Sequence, residues 1–338
     1  MFFTVQTFAG AGGVGTGDGA AATAQFARPS AITVSPSGAA YVTEAVFNGI
    51  RKVEAGIVST LASRTRSYKD GPLATALFNE PAGIVSDQAG NLYVADSLNH
   101  RIRKIDTTGN VTTVAGPPGS EILQGWADGA LLGCLFNYPD GITIDVGDNN
   151  IYVSELHRIR RIPLSIDDIV HTVAAVGIAG FADGPPTLAQ FDQPVDLAVT
   201  QTGDLFVADI DNYRLRRVSP SGAVTTVAGD GVLAVPTDKS QFVDDIPALN
   251  ARFETINGIA VDRTGLVWIA DATHVRMYSP FTNAVSTVCS DQGTHQQPIE
   301  FKDALAIAIL DQTNILERKI LVVDNGANQI IQLTSHSD

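Results

Sequence analysis

Three polar side chains stand where a repeated segment of this sequence otherwise carries small or apolar residues. Asp140 and Asn257 follow the opening residue of their repeats, and Asp196 lies one position further along in the repeat between them. Neighbouring carboxylates repel each other, so a pKa rises or a cation is recruited, and Ca²⁺ prefers oxygen ligands. With His157 nearby, these residues predict one side of a site for a small ligand or cation, with Ca²⁺ as the candidate ion. The alternative is that each carboxylate hydrogen-bonds backbone amides at the start of a strand.

Other catalytic chemistry is sparse in the sequence. It contains no Gly-x-Ser-x-Gly, Walker, His-Glu-x-x-His or Cys-x-x-Cys motif. His100, His157 and His274 fall in matching loops, but the position of His100 is filled by Asn48 and Tyr213 in other repeats, which disfavours a shared metal site. The sequence therefore assigns no catalytic residue and no definite metal, and no cofactor beyond the candidate Ca²⁺ is expected.

Short β-strands must position these residues. Four strand-like runs follow Phe78, separated by turn residues every eight to ten positions: Gly83–Ser86, Asn91–Ala95, Arg101–Ile105 and Val111–Ala115. This spacing predicts a small antiparallel meander rather than a helix. One such sheet cannot bury its own faces, so it needs neighbours of the same kind.

The same unit recurs along the whole chain. Each copy opens with a phenylalanine, and successive ones lie 48 to 62 residues apart: Phe26, Phe78, Phe136, Phe191, Phe253 and Phe301. This period with four strands per unit predicts an all-β, six-bladed β-propeller with four antiparallel strands per blade. The blades are expected at residues 26–62, 78–116, 136–177, 191–229, 253–289 and 301–334.

The two ends of the chain complement each other. Residues 4–10 resemble the fourth strand of a repeat without its first three, whereas the last repeat has only three strands. We therefore expect the N-terminal strand to close the last blade, with Thr4–Phe8 pairing with Ile330–Leu333. Because six blades and one closing strand account for the sequence, residues 1–338 are expected to form a single domain.

The repeat motif resembles the NHL repeat. The resemblance rests on Pro-Ala-Gly-Ile at 81–84, Gly-Asn-Leu-Tyr-Val-Ala-Asp at 90–96 and Asn-His-Arg-Ile-Arg-Lys-Ile at 99–105. It implies a propeller but does not select a function, because propellers of this kind host unrelated roles. It also brings three precedents: RNA binding through a basic face, a related lyase that binds zinc through histidines, and six-bladed lactonases with an axial calcium. No glutamate here matches the first-blade calcium ligand of those lactonases.

The charge balance disfavours nucleic acid as a partner. The formal net charge is −14, whereas nucleic acids require a positive surface. Twelve of the 22 Lys and Arg residues fall on third strands, but an acid lies a few residues upstream in five of the repeats. This offset predicts one ion pair in each of those blades, contributing ~0.2–1 kcal/mol if it is exposed.

A second repeated feature precedes five of the six blades. Asp-Gly pairs stand eight residues before the opening phenylalanine at Asp18, Asp70, Asp128 and Asp183, and Asp245 keeps this spacing without the glycine. Five matching aspartates suggest a ring of metal ligands, but a structural role explains them better. We expect each Asp to cap backbone amides in a turn, the glycine to adopt a positive φ, and the phenylalanine to fill the seam between blades.

Binding residues are expected where the repeats differ from one another. Four irregular loops differ in length and are polar, at residues 63–69, 117–126, 232–243 and 290–298, and two of them carry Tyr68 and Trp126. Loops on a rigid scaffold commonly carry binding residues. The sequence therefore favours a non-enzymatic binding or scaffold propeller for a protein, peptide or glycan. The alternative is a metal-assisted hydrolase or lyase at the mouth of the central channel.

Compartment and assembly are only weakly constrained. The sequence has no run of 18 apolar residues and no signal-peptide pattern at its start. Its arginine-rich, lysine-poor composition leans slightly towards an extracellular or cell-surface setting. Cys134 and Cys289 are expected to be unpaired thiols, and the oligomeric state is left open.

Overall fold

Six separate antiparallel sheets make up the protein in the computed structural model, which describes residues 2–62, 64–164, 169–235, 244, 247–289, 301–311 and 317–336. Blade 1 contains Ile32–Val34, Ala40–Glu44, Gly49–Glu54 and Ile57–Ala62. Blade 2 contains Pro81–Ser86, Leu92–Asp96, Arg101–Ile105 and Asn110–Ala115. Blade 3 contains Pro139–Ile144, Asn150–Glu155, Arg158–Pro163 and Ile169–Ala174.

The second half of the ring repeats this order. Blade 4 contains Pro194–Val199, Leu205–Asp209, Arg214–Val218 and Val224–Ala228. Blade 5 contains Ile256–Val261, Val267–Asp271, His274–Ser279 and Ala284–Cys289. Blade 6 contains Ala304–Asp311, Lys319–Asp324, Gln329–His336 and the N-terminal strand Phe2–Ala9. Helical structure in the described part is limited to 3-10 turns at Ala45–Phe47, Ser97–Asn99, Ile210–Asn212 and Ala248–Asn250. The predicted all-β, six-bladed propeller is confirmed.

The first strands form the inner wall of the ring. Each packs against the first strand of the next blade, and that of blade 6 packs against that of blade 1. Three glycines, Gly83, Gly141 and Gly258, allow this close approach. A Cβ atom on Gly141 would lie 2.5 Å from the carbonyl oxygen of Val195, and one on Gly258 would lie 2.6 Å from Cα of Ala306. The glycine of the Pro-x-Gly-Ile motif is therefore required by backbone contact between blades at the axis.

The N-terminal strand closes blade 6 as predicted. It pairs antiparallel with the third strand of that blade, with Val5 opposite Leu333, over a longer stretch than the sequence indicated. Phe3 also packs edge-on against Trp268 of blade 5, with 6.0 Å between the ring centroids. Because its ends pair with each other, the chain forms a closed ring.

The apolar core is divided among the seams between blades. Six buried clusters in the described part each join residues of two neighbouring blades. The opening phenylalanines lie in these clusters and are at most 2% exposed, as expected for residues that fill the seams. Cys134 lies in the cluster between blades 2 and 3 as a free, buried thiol.

In each of several blades, a buried arginine contacts two acids that recur at the same spacing from repeat to repeat. Blade 2 illustrates this arrangement. Arg103 donates to Asp96 through Nη1 and to Asp70 through Nη2, both at 2.6 Å. Its guanidinium also lies 5.0 Å from the centroid of the Phe78 ring. The ion pair and the Asp-Gly turn, which the sequence presented as separate features, therefore belong to one network.

This network recurs in five blades. Its members are Arg51 with Glu44 and Asp18, Arg103 with Asp96 and Asp70, Arg160 with Glu155 and Asp128, Arg216 with Asp209 and Asp183, and Arg276 with Asp271 and Asp244. The predicted ion pair is present in each of these blades and is buried, because the arginine and the acid of the second strand are both 0% exposed. In blade 5 the linker residue is Asp244, while Asp245, to which the spacing points, lies outside the described residues.

Blade 6 satisfies its buried acid differently. Ile331 takes the position of the arginine, opposite Val322. Asp324, only 2% exposed, instead accepts hydrogen bonds from the backbone amides of Lys302, Asp303 and Ala327. Backbone donors therefore replace the guanidinium in this blade.

The linker aspartates also cap the outer strands. Asp70 accepts hydrogen bonds from both the amide and the hydroxyl of Thr113, each at 3.1 Å. Gly71 follows with a φ of 120° and pairs with Val111 at the outer edge of the blade. The predicted capping role of the aspartate and the positive φ of the glycine are confirmed, and the turn covers part of an otherwise open sheet edge.

Candidate functional site

The six first strands enclose a central channel with a volume of about 1060 Å³. Asp140, Asp196 and Asn257 all line it. They stand at the starts of their strands, so they share the end of the channel that faces the inter-blade linkers. The structure therefore brings these three residues to one wall of one opening.

Asp196 is held by backbone amides on both of its oxygens. Oδ1 accepts from the amide of Leu197 and Oδ2 from that of Ile259 in blade 5, each at 2.8 Å. Burial raises the pKa of Asp196 to about 7 against the lowering effect of these bonds, and Asp140 raises it further. Asn257 makes a similar link, because its Nδ2 donates to the carbonyl of Ala304 in blade 6 at 3.0 Å. Both side chains therefore join neighbouring blades.

Asp140 differs from its two neighbours. Within the described part of the chain, no hydrogen bond or ion pair engages its carboxyl group. Burial alone raises the pKa of Asp140 to about 7, and its charge is one of the factors that raise the pKa of Asp196. Asp140 is therefore the carboxyl at this opening that remains available to a ligand.

His157 lies at the same end but away from the channel wall. Its Nδ1 accepts from the amide of Gln193 at 3.2 Å and lies 3.5 Å from Asp192. His100 does the same for the amide of Tyr138 at 3.2 Å. Each histidine thus caps a residue with a positive φ at the start of the next blade, a role that explains why other residue types occupy the same position.

The third loop histidine has a different contact. His274 Nδ1 lies 2.9 Å from the hydroxyl of Thr273. In the described ranges, no group of three or more His, Cys, Asp or Glu side chains is arranged to hold a metal ion. The identity of any cofactor, including Ca²⁺, stays a prediction.

The two aromatic candidates both stack on arginines. Arg101 lies 3.8 Å from the centroid of Tyr68, whose hydroxyl donates to Asp70 at 3.0 Å. Arg158 lies 5.2 Å from the centroid of Trp126. Tyr68 is thereby built into the buried ion network, whereas Trp126 remains 49% exposed.

Exposed apolar residues cluster in three consecutive linkers at the Asp140 end of the ring. We call this set the apolar arc; it comprises Ile122, Leu123, Trp126, Ile178, Phe181, Val232 and Leu233, each between 42% and 63% exposed. The linkers join the end of each outer strand to the start of the next first strand, which places them around the opening beside blades 3 to 5. Sequence reasoning selected Trp126 but missed the arc as a whole, because its members are spread over loops of different length.

The fold and the repeated motif define a class, the six-bladed propeller built from NHL repeats. The family model of the NHL repeat matches residues 78–105, and that of the teneurin NHL domain matches residues 220–335. These two matches support the resemblance of the repeats to the NHL repeat. No helix in the described part is long and apolar enough to cross a membrane.

Curated relatives are much longer proteins. The chain is 33% identical over 181 residues to Protein SUPPRESSOR OF QUENCHING 1, chloroplastic, of Arabidopsis thaliana, covering 51% of this chain and 16% of that protein. It is 31% identical over 198 residues to Teneurin-1 of Caenorhabditis elegans, covering 56% of this chain and 7% of that protein. It is 36% identical over 131 residues to NHL repeat-containing protein 2 of Gallus gallus, covering 38% of this chain and 17% of that protein.

Solved structures share the fold at low identity. An auxiliary nutrient binding protein from Bacteroides ovatus matches with a TM-score of 0.70 and 12% identity, covering 98% of this chain and 76% of that one. A gluconolactonase from Xanthomonas campestris matches with a TM-score of 0.59 and 13% identity, covering 90% and 85%. Virginiamycin B lyase from Staphylococcus aureus matches with a TM-score of 0.54 and 14% identity, covering 98% and 99%. At these identities the similarity concerns the fold alone.

Proposed function

We propose that this protein is a non-enzymatic binding propeller that holds a protein or peptide at the face bearing the inter-blade linkers. The observation that carries the proposal is the apolar arc. Monomeric proteins rarely expose large apolar surfaces, so seven exposed apolar side chains on three neighbouring linkers favour a partner at this face. Aliphatic residues such as Ile122 and Ile178 favour a protein or peptide over a glycan, since sugars need many directed polar contacts.

The scaffold supports this role physically. The linkers are held by buried ion networks at their bases, as Asp70 and Arg103 illustrate in blade 2. Trp126 and Phe181 are further held over Arg158 and Arg214, with 3.9 Å between the Arg214 guanidinium carbon and the Phe181 centroid. Aromatic side chains fixed in this way lose little conformational entropy on binding, which increases affinity.

The test is selection from a displayed library of random 12-residue peptides. We expect wild-type protein to enrich sequences with several apolar residues, and the double variant Trp126→Ser/Phe181→Ser to lose them at least tenfold. Leu132→Ser/Leu188→Ser is the matched control, because these leucines are 49% and 66% exposed but lie in rim turns beside the starts of outer strands. Equal loss in both variants, or no enrichment by wild type, would refute the proposal.

A metal-assisted hydrolase or lyase is the second candidate. Asp140 supports it, because an unengaged carboxyl with a pKa near 7 suits general acid–base catalysis. Elemental analysis of purified wild type and Asp140→Asn tests this candidate. One tightly held metal ion per chain in the wild type that the variant loses would favour it, and metal-free protein without hydrolytic activity would count against it.

A further inference from the structure

The cations beside the apolar arc are already engaged within the protein. Arg158 lies over Trp126 and donates to the carbonyl of Val176 at 3.2 Å. Arg214 lies over Phe181 and donates to the carbonyl of Asp230 at 3.0 Å. These guanidinium groups already have acceptors of their own, and are poor candidates for pairing with an acidic partner.

Acidic side chains beside the apolar arc have fewer ionic partners within the protein than the arginines do. Among the described residues, the exposed carboxylate of Glu121, next to Ile122 of the arc, has no ion pair. Asp211, also exposed, accepts only from the neutral amide of Gln193, at 2.6 Å. The charge available to a partner at this side of the opening is therefore negative, in line with the net charge of −14.

Asp140 adds a carboxyl at the centre of this surface. At the same level of the channel the other blades present uncharged side chains, apart from Asp196, whose two oxygens are occupied by amides. Those uncharged side chains are Ser30, Ala82, Val195, Asn257 and Leu305. A side chain that enters the opening therefore meets one carboxyl without a protein partner.

We propose that the partner segment is basic and amphipathic: apolar side chains cover the apolar arc, and one lysine or arginine reaches Asp140 at the channel opening. This inference rests on the proposed function and specifies its partner. The long methylene stem of such a residue can pass the small side chains at the opening while its cationic head contacts the carboxyl. Charge complementarity of this kind sets specificity and association rate, and it argues against an acidic peptide as occupant.

The test starts from the same random peptide library and compares wild type with Asp140→Asn. We expect Lys or Arg among the apolar residues selected by wild type, and no such preference with the variant. Asp148→Asn is the matched control, because Asp148 lines the opposite end of the channel.

Synthetic versions of the best peptide quantify the contact. Replacing the selected Lys or Arg by norleucine should weaken binding to wild type at least tenfold, and binding to Asp140→Asn less than threefold. Binding to wild type should also weaken as the pH falls from 8 to 5.5, because the carboxyl becomes protonated. Apolar selection without a basic residue, or equal norleucine losses in both proteins, would overturn the anchor while leaving the proposed function intact. Absence of apolar selection would overturn both.

Discussion

Asp140 and Asp196 stand at adjacent positions of consecutive repeats and line the same channel, yet they have opposite effects on the stability of the fold. Burial raises the pKa of both carboxyl groups to about 7, but only that of Asp196 is stabilised by hydrogen bonds from backbone amides. An unfolded Asp has a pKa near 4, so the folded state holds the Asp140 proton more tightly. The stability linked to this proton is present below about pH 4 and is lost as the pH rises towards 7.

Replacing Asp140 with Asn should therefore stabilise the protein at neutral and higher pH. We expect a gain of about 1–2 kcal/mol at pH 8 and a smaller gain at pH 5. This is less than the ~4 kcal/mol that three pKa units represent, because the side chain is partly exposed to the channel. Chemical denaturation at both pH values measures the difference. A variant less stable than wild type at pH 8 would show that the carboxyl has a structural partner.

Asp196→Asn should have the opposite effect. The amides of Leu197 and Ile259 bind different oxygens of Asp196, and Asn replaces one of these oxygens with an NH2 group, so one buried amide loses its acceptor. An unsatisfied buried donor costs about 1–3 kcal/mol. In the same denaturation experiment we expect that loss of stability at pH 5 and a smaller loss at pH 8, where the variant also avoids the cost of ionising a carboxyl whose pKa is raised to about 7.

The buried arginines should tolerate substitution poorly. Arg103→Ile leaves Asp96 buried without its cation and Asp70 with only its neutral donors, Thr113 and Tyr68, which should cost about 3–5 kcal/mol. Lys104→Ile, on the next residue of the same strand, is the control, because Lys104 is only partly buried and pairs with no acid in the described part. Thermal unfolding compares the two. Equal shifts would mean that blade 2 satisfies its acid through backbone amides, as blade 6 does at Asp324.

At the scale of the strands, the closing strand is the element whose loss should reduce stability most. Phe2–Ala9 completes blade 6, so deleting residues 1–10 exposes the full edge of the third strand and uncovers Trp268. We expect the melting temperature to fall by more than ten degrees. A milder pair separates burial from strand loss: Val5→Lys should destabilise, because Val5 packs on the core, whereas Gln6→Lys should not, because Gln6 is exposed. An unchanged melting curve for the deletion would contradict closure.

The sequence predicted the elements well because each blade repeats the same turns and apolar alternation. It predicted contacts between distant elements less well. The offset of Asp70 from Phe78 indicated a capped turn, but not that Arg103, from a later strand, completes it. Burial of that arginine depends on packing between blades, which residue spacing does not encode.

The candidate site shows the same limit. Comparing repeats placed Asp140 and Asp196 on one wall, since the starts of all first strands face the same channel. Their difference depends on the amide of Ile259, which is 63 residues from Asp196. The apolar arc likewise arises only when linkers of unequal length come together around the opening.

At the scale of the whole molecule, many positive charges are buried inside the blades, whereas the surface is mainly acidic. Five arginines are 0% exposed and paired with acids inside the blades. In all, six of the twelve positive residues along the third strands are buried, and the surface keeps an excess of acids. A partner approaching this molecule meets a negative field with an apolar face at one end.

This distribution predicts that the protein does not bind single-stranded RNA at physiological salt. The twelve Lys and Arg residues on third strands would suggest a basic binding face, but the five at the centre of those strands already have carboxylate partners. Phosphate binding depends on exposed cations that release counterions. Fluorescence anisotropy with labelled 20-nucleotide RNA at 50 and 150 mM salt, using a basic protein of similar size as positive control, provides the measurement. Saturable binding at 150 mM salt would contradict this prediction. It would show that exposed cations, such as Arg66 and Lys69 beside blade 2, form a nucleic-acid-binding surface despite the negative net charge of the protein.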